Sequence, residues 1–380
     1  MSEAHDVTTE VATKIARVRA YLKRHKLDGV VLGTRANWAW LSGGGDGHIV
    51  SQCDDAFGAL AITPRGAYLL ANNIEMARFV KEEPVGCFTP KVFPWITPMS
   101  SAVSALIGKK DPAAWASDTP AMTGLRALPG DFSADCRAQL VEAEIRRYKS
   151  LGRDCSLVAE TVCHGMHAGD SEHQVEGDLA RHLLSRGIQP FVLLVAFDER
   201  ITSYRHPAPT SKRLKHHAMV VVCGQRHGLI ASLTRFVHFG ALPKDLAKRH
   251  EAVCRVEAAY WEATVPGASY GSVFAAGLKQ YKAEGFAKEW ELHHQGGPTG
   301  YAGRDFVVTP GESRLVQPNQ AVAWNPSITG AKTEDTFVIE GSAKVGWEQS
   351  VVTAASEEWP TVTVKTPSGK PFVRPAVLVR

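Results

Sequence analysis

The chain has 380 residues, of which 44% are hydrophobic and 22% are charged. This length predicts two domains, since domains average roughly 150 residues, and the composition is that of folded globular proteins, which excludes wholesale disorder. The net charge of +4, the lack of any run of five lysines or arginines, and the lack of an apolar stretch of roughly 18 to 20 residues do not indicate a nucleic-acid or membrane function.

The first part of the chain alternates predicted helices and strands. Apolar residues at helical spacing predict a helix over residues 8–26, which the Asp28-Gly29 turn ends. The elements predicted after it are a strand at 30–33, a hairpin at 58–71, a helix at 73–82 and a short strand at 113–117. We predict an α/β domain over residues 1–133.

A break at Leu128-Pro129-Gly130 precedes the second predicted domain, 134–380. A long polar helix is predicted from Ala134 to His167, and Ser171-x-x-Gln174 has the form of a capping box that opens another helix. The elements predicted after it are strands at 191–196, 219–223 and 232–239, helices at 243–263 and 270–281, and strands at 321–324 and 335–340. Helix pairs between runs of strands predict an α+β layered structure. The last 30 residues are expected to form an extended tail or an edge strand.

Four polar segments flank predicted strands, and they are Tyr204–Thr210, Leu292–Arg304, Trp324–Ser327 and Lys332–Thr336. Functional residues concentrate in loops on a rigid scaffold. Pro207 keeps His206 extended, and the adjacent His293 and His294 in a glycine-rich loop have little packing rationale. Taken one at a time, each segment also has a simpler interpretation as a surface histidine, a turn or solvated charge.

In order along the chain, these segments resemble the creatinase/aminopeptidase P family. The resemblance covers about Glu142 to Gly341 and is carried by EAEIRRYKSLGR, SEHQVEGDLARHLLSRG, YRHPAPTSKRL, VVVCGQRHGLIASLTRFVHFG, LHHQGGPTGYAGRD and AVAWNPSITGAKTEDTFVI. The first helix, VVLGTRANWAWLSG and the hairpin resemble the family's smaller N-terminal domain. The resemblance implies an α+β pita-bread catalytic domain at 134–380, preceded by a creatinase-like α/β domain at 1–133.

Metallopeptidases of this family hold two metal ions with two aspartates, one histidine and two glutamates. In the resemblance, the aspartate positions fall on Val222 and Ser232 and one glutamate position falls on Asn325, so three carboxylates are missing. Two positions keep a side chain that can bind a metal. The histidine position corresponds to His293 or His294, since the spacing allows either, and the last glutamate position corresponds to Glu334. One histidine and one glutamate cannot offset the charge of two divalent ions. The resemblance therefore predicts the family's fold without its metals.

Creatinase is similar in fold and cleaves a C–N bond of a small guanidino compound without metal. The position of creatinase's catalytic histidine corresponds to His206, and that of its final glutamate corresponds to Glu334. The position of the arginine that binds the substrate carboxylate corresponds to Arg304. Creatinase's second glutamate falls on Ser232, and the loss of that carboxylate argues against a guanidinium substrate. Creatine is therefore not the predicted substrate.

We expect a metal-independent hydrolase that cleaves an amide or amidine-type C–N bond in a small, polar, carboxylated molecule, with His206 as general acid/base. The residues expected to be catalytic are His206, Glu334, His294 and His293. The residues expected to bind substrate are Arg304, Ser232, Asn325 and Tyr301, and no metal ligand is expected. Two alternatives stay open: a non-catalytic binding or interaction protein of the same fold, and a metal-dependent Xaa-Pro-type peptidase or lyase that retains one metal.

Seven scattered cysteines without a C-x-x-C pair argue against a disulfide framework or a zinc knuckle. Cys223 is expected to be a buried core thiol. The polar, acidic N-terminal segment is not typical of a secretory signal, so a cytoplasmic location is expected. The expected partners are a small-molecule substrate and a second copy of the chain in a homodimer, with no cofactor, nucleic acid or membrane.

Overall fold

The computed structural model describes residues 2–120, 122 and 124–380, and the chain divides into two compact units. The first unit ends at Ala143, and the second comprises Glu144–Arg380. The sequence places the boundary slightly earlier, after residue 133.

A six-stranded sheet is the centre of the first unit. Its strands are β1 (Gly29–Thr34), β2 (Asp55–Ile62), β3 (Ala67–Asn72), β4 (Thr89–Phe93), β5 (Trp115–Ser117) and β6 (Arg126–Ala127), and the helices are α1 (Ser2–His25), α2 (Arg35–Ser42), α3 (Met76–Glu82) and α4 (Met99–Ile107). The order across the sheet is β4-β3-β2-β1-β5-β6, with β1, β2 and β3 antiparallel and the other strands joined in parallel. The first predicted helix, the hairpin and the strands of this region are confirmed.

The second unit is built from two four-stranded sheets, two small hairpins and five helices among the described residues. Its helices are α5 (Glu142–Gly165), α6 (Glu172–Leu184), α7 (Glu199–Ser203), α8 (Lys244–Ala263) and α9 (Tyr270–Ala283). Its strands are β7 (Gln189–Phe197), β8 (His217–Arg226), β9 (Leu229–His238), β10 (Gly296–Thr299), β11 (Ala321–Trp324), β12 (Ser327–Ile328), β13 (Ala331–Lys332), β14 (Asp335–Ser342), β15 (Gly346–Val351), β16 (Thr361–Lys365), β17 (Pro371–Pro375) and β18 (Leu378–Val379). Among the described residues, none of the helices combines the length and the apolar character that crossing a membrane requires.

The two larger sheets of the second unit meet where β9 runs beside the start of β14. One sheet has the order β18-β9-β8-β7 and the other β10-β11-β14-β15. The backbone N–H of Thr234 donates to the carbonyl of Glu334 at 3.0 Å, and the N–H of Ser232 donates to Oγ1 of Thr336 at 2.8 Å. On the far side of the second sheet, the Trp324 ring stacks on Tyr260 of α8 with 4.6 Å between centroids. These contacts bring the Lys332–Thr336 segment against the β8–β9 hairpin.

Three local expectations have clear outcomes in the second unit. The Ser171 capping box is confirmed, since the Ser171 side chain accepts from the Gln174 N–H and the Gln174 side chain accepts from the Ser171 N–H. For the last 30 residues the edge strand is confirmed in β18, which pairs in parallel with β9, but the hairpin of β16 and β17 was not predicted. The predicted helix from Ala134 is wrong at its start, because α5 begins at Glu142 and a π-helical turn occupies Ser133–Arg137.

A tertiary contact accompanies the early break before α5. The Arg17 guanidinium donates to the carbonyl of Cys136 at 3.2 Å and to that of Gln139 at 2.6 Å. These carbonyls therefore accept hydrogen bonds from another element, and helical periodicity in the local sequence does not show this contact.

A buried ion network ties together strands and helices of the second unit. Arg235 pairs with Glu160 at 3.3 Å and with Asp335 at 3.2 Å. Arg374 pairs with Glu257 at 2.9 Å and also contacts Asp335. The side chains of all five residues are nearly inaccessible to solvent. Because a buried charge is tolerated only while it is paired, the loss of one partner strongly destabilises such a network.

We expect Arg235→Met to lower the free energy of unfolding by about 3–5 kcal/mol, since it leaves Glu160 and Asp335 buried without this partner. Chemical denaturation followed by circular dichroism measures the change. The matched control is Arg181→Met on α6, where Arg181 pairs with Asp178 and 64% of its side chain is exposed. The control is expected to change stability by no more than about 1 kcal/mol, and equal losses in the two variants would contradict a structural role for the network.

Candidate active site

Three histidines converge in the second unit. His206 lies in the loop between α7 and β8, and His293 and His294 directly precede β10. Nε2 of His206 is 3.0 Å from Nε2 of His293, and the ring centroids of His293 and His294 are 4.4 Å apart. One ring nitrogen from each histidine lies within 4.8 Å of those of the other two. The structure therefore brings together histidines that are 87 residues apart in the sequence.

The environment keeps these imidazoles uncharged. Burial and the Lys332 charge lower the pKa of His293 to about 2, and burial and the Arg304 charge lower the pKa of His294 to about 4. Burial, followed by Lys332, also lowers the pKa of His206. A neutral imidazole has one N–H and one lone pair. The short contact between His206 and His293 is therefore one N–H···N hydrogen bond, in which either ring can be the donor.

Glu334 directly precedes β14, and both of its carboxylate oxygens are engaged. Nη2 of Arg304 lies 3.1 Å from Oε1, and Nζ of Lys332 lies 3.1 Å from Oε2. The Thr234 hydroxyl also donates to Oε2 at 3.0 Å. Burial raises the pKa of Glu334, but Lys332 and Arg304 outweigh burial and lower it to about 2. One carboxylate and two cations leave one net positive charge at the site.

The register of the β8–β9 hairpin corrects one assignment made from the sequence. Cys223 pairs with Ser232, and Val222 pairs with Leu233. Because side chains alternate across a strand, Val222 points to the face opposite Ser232, and its placement in the site is wrong. The residue that faces Ser232 is Cys223, whose Sγ lies 3.1 Å from the Ser232 Oγ. Burial and the Glu334 charge raise the pKa of Cys223 to about 11, so it is a thiol at neutral pH.

The two other predicted substrate-binding residues, Asn325 and Tyr301, lie in different environments. Asn325 lies next to β11, is 3% exposed, and its Oδ1 has no hydrogen-bond partner among the described residues. Tyr301 is also buried, and its hydroxyl donates to Oε1 of Glu144 at 2.6 Å. Asn325 thus keeps a free polar atom, whereas the Tyr301 hydroxyl is bound within the fold. Their roles in substrate binding stay predictions.

A cavity of about 10 Å³, the room of one water molecule, adjoins His293. Its polar lining includes His293, Lys332 and Arg205, and its apolar lining includes Ile201 and Met219. Arg205 donates to Glu289 at 3.1 Å and to the Thr329 hydroxyl at 2.8 Å, which anchors the loop that carries His206. The cavity is therefore small, and two basic side chains, those of Arg205 and Lys332, contribute to its lining.

Residues 146–353 match metallopeptidase family M24, and residues 14–130 match the creatinase/prolidase N-terminal domain. The chain belongs to metallopeptidase family M24. The predicted recognition of the creatinase/aminopeptidase P group is confirmed. The predicted fold class, a pita-bread domain preceded by a creatinase-like N-terminal domain, is confirmed as well.

Known proteins similar to this M24 chain include dipeptidases and prolidases. The probable dipeptidase PepE of Mycobacterium tuberculosis is 24% identical over 227 residues, which cover 57% of this chain and 60% of the relative. The chain thus spans about 60% of the length of the curated relatives it matches. Dipeptidase PepE from Mycobacterium ulcerans has a TM-score of 0.73 at 20% identity, over 92% of this chain and 97% of that structure. The prolidase from Pyrococcus horikoshii OT3 has a TM-score of 0.75 at 15% identity, over 91% and 99%. The two structural likenesses establish the fold.

The residues present do not fit the dinuclear metal site that the M24 fold implies. Cys223, Ser232 and Asn325 have neutral side chains, and hard divalent ions in bridged sites need carboxylate oxygens. The remaining carboxylate, Glu334, has an ammonium on one oxygen and a guanidinium on the other. Two protein cations therefore lie around the one carboxylate that a metal would require.

Sequence reasoning missed the part played by Lys332. Lys332 lies in one of the four polar segments, but a lysine two residues before a glutamate is common in exposed loops. Two features of the sequence could have indicated a buried role for Lys332. It lies between two apolar strands, and three carboxylates are missing from the site that the resemblance implies. Its 5% exposure and its contact with Glu334 show that it belongs to the site.

We expect Glu334→Gln to lower the free energy of unfolding by about 3–5 kcal/mol, because it leaves the Lys332 and Arg304 charges buried without their shared partner. Adding Lys332→Met to this variant is expected to recover part of the loss, and a double-mutant cycle measures the coupling. Asp178→Asn, at an exposed pair on α6, serves as the control. Additive effects of the two site substitutions would show that Lys332 and Glu334 do not interact.

Proposed function

We propose that the chain is a metal-independent hydrolase that cleaves an amide or amidine-type C–N bond in a small, polar, carboxylated molecule. The observation that carries this proposal is the ion cluster at Glu334. In that cluster, Lys332 and Arg304 supply positive charge from the protein itself. In a dinuclear enzyme, metal ions supply the charge that binds and polarises the substrate.

The net positive charge of the cluster supports a carboxylate on the substrate. Arg304 donates through Nη1 to the Gly303 carbonyl and through Nη2 to Glu334, and its buried Nε has no partner among the described residues. A guanidinium with free N–H groups binds a carboxylate with directional hydrogen bonds. The relatives named dipeptidase fit this substrate class, since a dipeptide is small and ends in a carboxylate.

The His206–His293 hydrogen bond supports proton transfer by His206. His206 is exposed, while His293 is buried. In the proposed reaction, His206 takes a proton from water as the water oxygen bonds to the substrate carbon. The C–N bond then breaks, and the leaving nitrogen receives that proton. The water's oxygen stays on the carbon product, so a hydrolysed amide yields a carboxylic acid and an amine.

Neutral polar groups complete the proposed site. Asn325 has a side-chain amide, and Ser232 has a hydroxyl, beside the thiol of Cys223. Neutral donors that are fixed in advance stabilise negative charge on a reacting oxygen. Glu334 holds Arg304 and Lys332 in place in this scheme, so it positions the cations that bind the substrate.

We expect His206→Ala to lower the rate of hydrolysis by about 10²–10⁴-fold, the usual contribution of a positioned acid/base group. The measurement is amine release from a panel of dipeptides and N-acyl amino acids. His206 is exposed, so its replacement is expected to leave the unfolding midpoint unchanged. The matched control is His173→Ala, an exposed histidine on α6, and an unchanged rate in His206→Ala would remove His206 from the mechanism.

We expect EDTA to leave the rate of amine release unchanged, because the site lacks the carboxylates that a dinuclear centre needs. Elemental analysis of protein purified without chelator is the accompanying measurement. Two tightly held transition-metal ions per chain, lost together with activity in EDTA, would overturn the metal-independent proposal.

A second candidate function is a non-catalytic binding protein for small carboxylates. The observation that favours it is the replacement of three ligand carboxylates by neutral groups while Lys332 and Arg304 remain at Glu334. Binding of simple carboxylates such as acetate or succinate without amine release from any member of the panel would favour this function. Loss of that binding in Arg304→Met would place the carboxylate at the Glu334 ion cluster.

A further inference from the structure

We propose that His206, His293 and His294 form a reversible site for one zinc-type transition-metal ion, and that an ion bound there blocks proton transfer. The binding part of this proposal rests on the histidine geometry alone. The blocking part rests on the proposed function, in which His206 moves the proton.

The spacing of the three rings suits a single ion. Zn–N bonds of about 2.0–2.1 Å place two ligating nitrogens at most about 4 Å apart. The closest pair, Nε2 of His206 and Nε2 of His293, is 3.0 Å apart, and all three ligand nitrogens lie within 4.8 Å of one another. A small rotation of the least constrained ring, that of the exposed His206, closes the set around one ion.

The donor atoms determine which ions fit. Three imidazoles suit zinc, cobalt, nickel and copper, whereas magnesium and calcium require oxygen ligands. Glu334 is not expected to join the site, since Lys332 and Arg304 engage both of its oxygens. Three histidines and a water molecule complete a four-coordinate zinc site.

The surroundings limit the affinity. The Nδ1 atoms of His293 and His294 are buried and have no hydrogen-bond partner among the described residues. A tight metal site normally fixes its histidines through hydrogen bonds to such partners. Loss of these hydrogen bonds lowers the affinity for the metal about 10–100-fold. Lys332 and Arg304 add positive charge nearby, which Glu334 offsets only in part. We therefore expect exchangeable binding, with a dissociation constant of about 1–100 μM.

The position of His206 links metal binding to the reaction. The ion reaches the site from solvent through His206, the exposed member of the three. Once coordinated, the lone pair of His206 no longer accepts a proton from water. Zinc is therefore an inhibitor of the proposed metal-independent reaction, with a concentration dependence that follows binding.

Calorimetric titration with Zn²⁺ and the visible absorption of added Co²⁺ test the site in the full chain. We expect one ion per chain, and we expect His206→Ala and His294→Gln each to weaken binding by at least about tenfold. His173→Ala, on α6 and outside the cluster, is the matched control and is expected to bind zinc as the unchanged chain does. A circular dichroism spectrum confirms that each variant is folded.

The outcomes separate this inference from the proposed function. No binding below about 10⁻⁴ M, or equal binding in all variants, overturns the metal site and leaves the proposed function untouched. One bound zinc that slows amine release, with recovery in EDTA, supports both. One bound zinc that accelerates amine release supports the site, but it overturns both the blocking role and the metal-independent reaction. Binding remains decisive even if no substrate in the panel is cleaved.

Discussion

The buried carboxylate of Glu334 is the constraint on which the site depends. A charged carboxylate inside a protein requires compensation, and here Arg304, Lys332 and Thr234 provide it. The backbone carbonyl of the same residue accepts the N–H of Thr234, at the junction of the two sheets. Glu334 therefore holds the two cations and also takes part in the contact that brings β14 to β9. The charge of the site and the geometry of the fold are consequently linked through one residue.

The next residue, Asp335, has a different structural role, on the other face of β14. Side chains alternate along a strand, so Glu334 faces the histidine side while Asp335 binds Arg235 and Arg374 in the buried network. As two adjacent acidic residues in a sequence, they resemble solvated surface charge. In the structure they are 3% and 1% exposed. One compensates the cations of the site, and the other anchors the strand that supports it.

The M24 fold of this chain does not carry the full carboxylate set of a dinuclear metal site. A fold does not determine function, because function resides in the groups placed on it. Here a thiol, a hydroxyl and an amide occupy positions where carboxylates would bind hard metal ions, and a lysine and an arginine surround the carboxylate that remains. The result is a lysine and an arginine close to three imidazoles whose pKa values are lowered by burial and by these charges.

The sequence by itself determined the main elements, the family, and the loss of three carboxylates, because periodicity, capping residues and motif order are local properties. It also selected His206, His293, Arg304 and Glu334 as members of one site. Only the tertiary structure decided that Cys223 rather than Val222 faces Ser232, that Lys332 binds Glu334, and that Arg17 donates to carbonyls of the non-α-helical segment before α5. Each of these depends on strand register or on contacts between distant segments, and a shift of one residue in register moves a side chain to the opposite face.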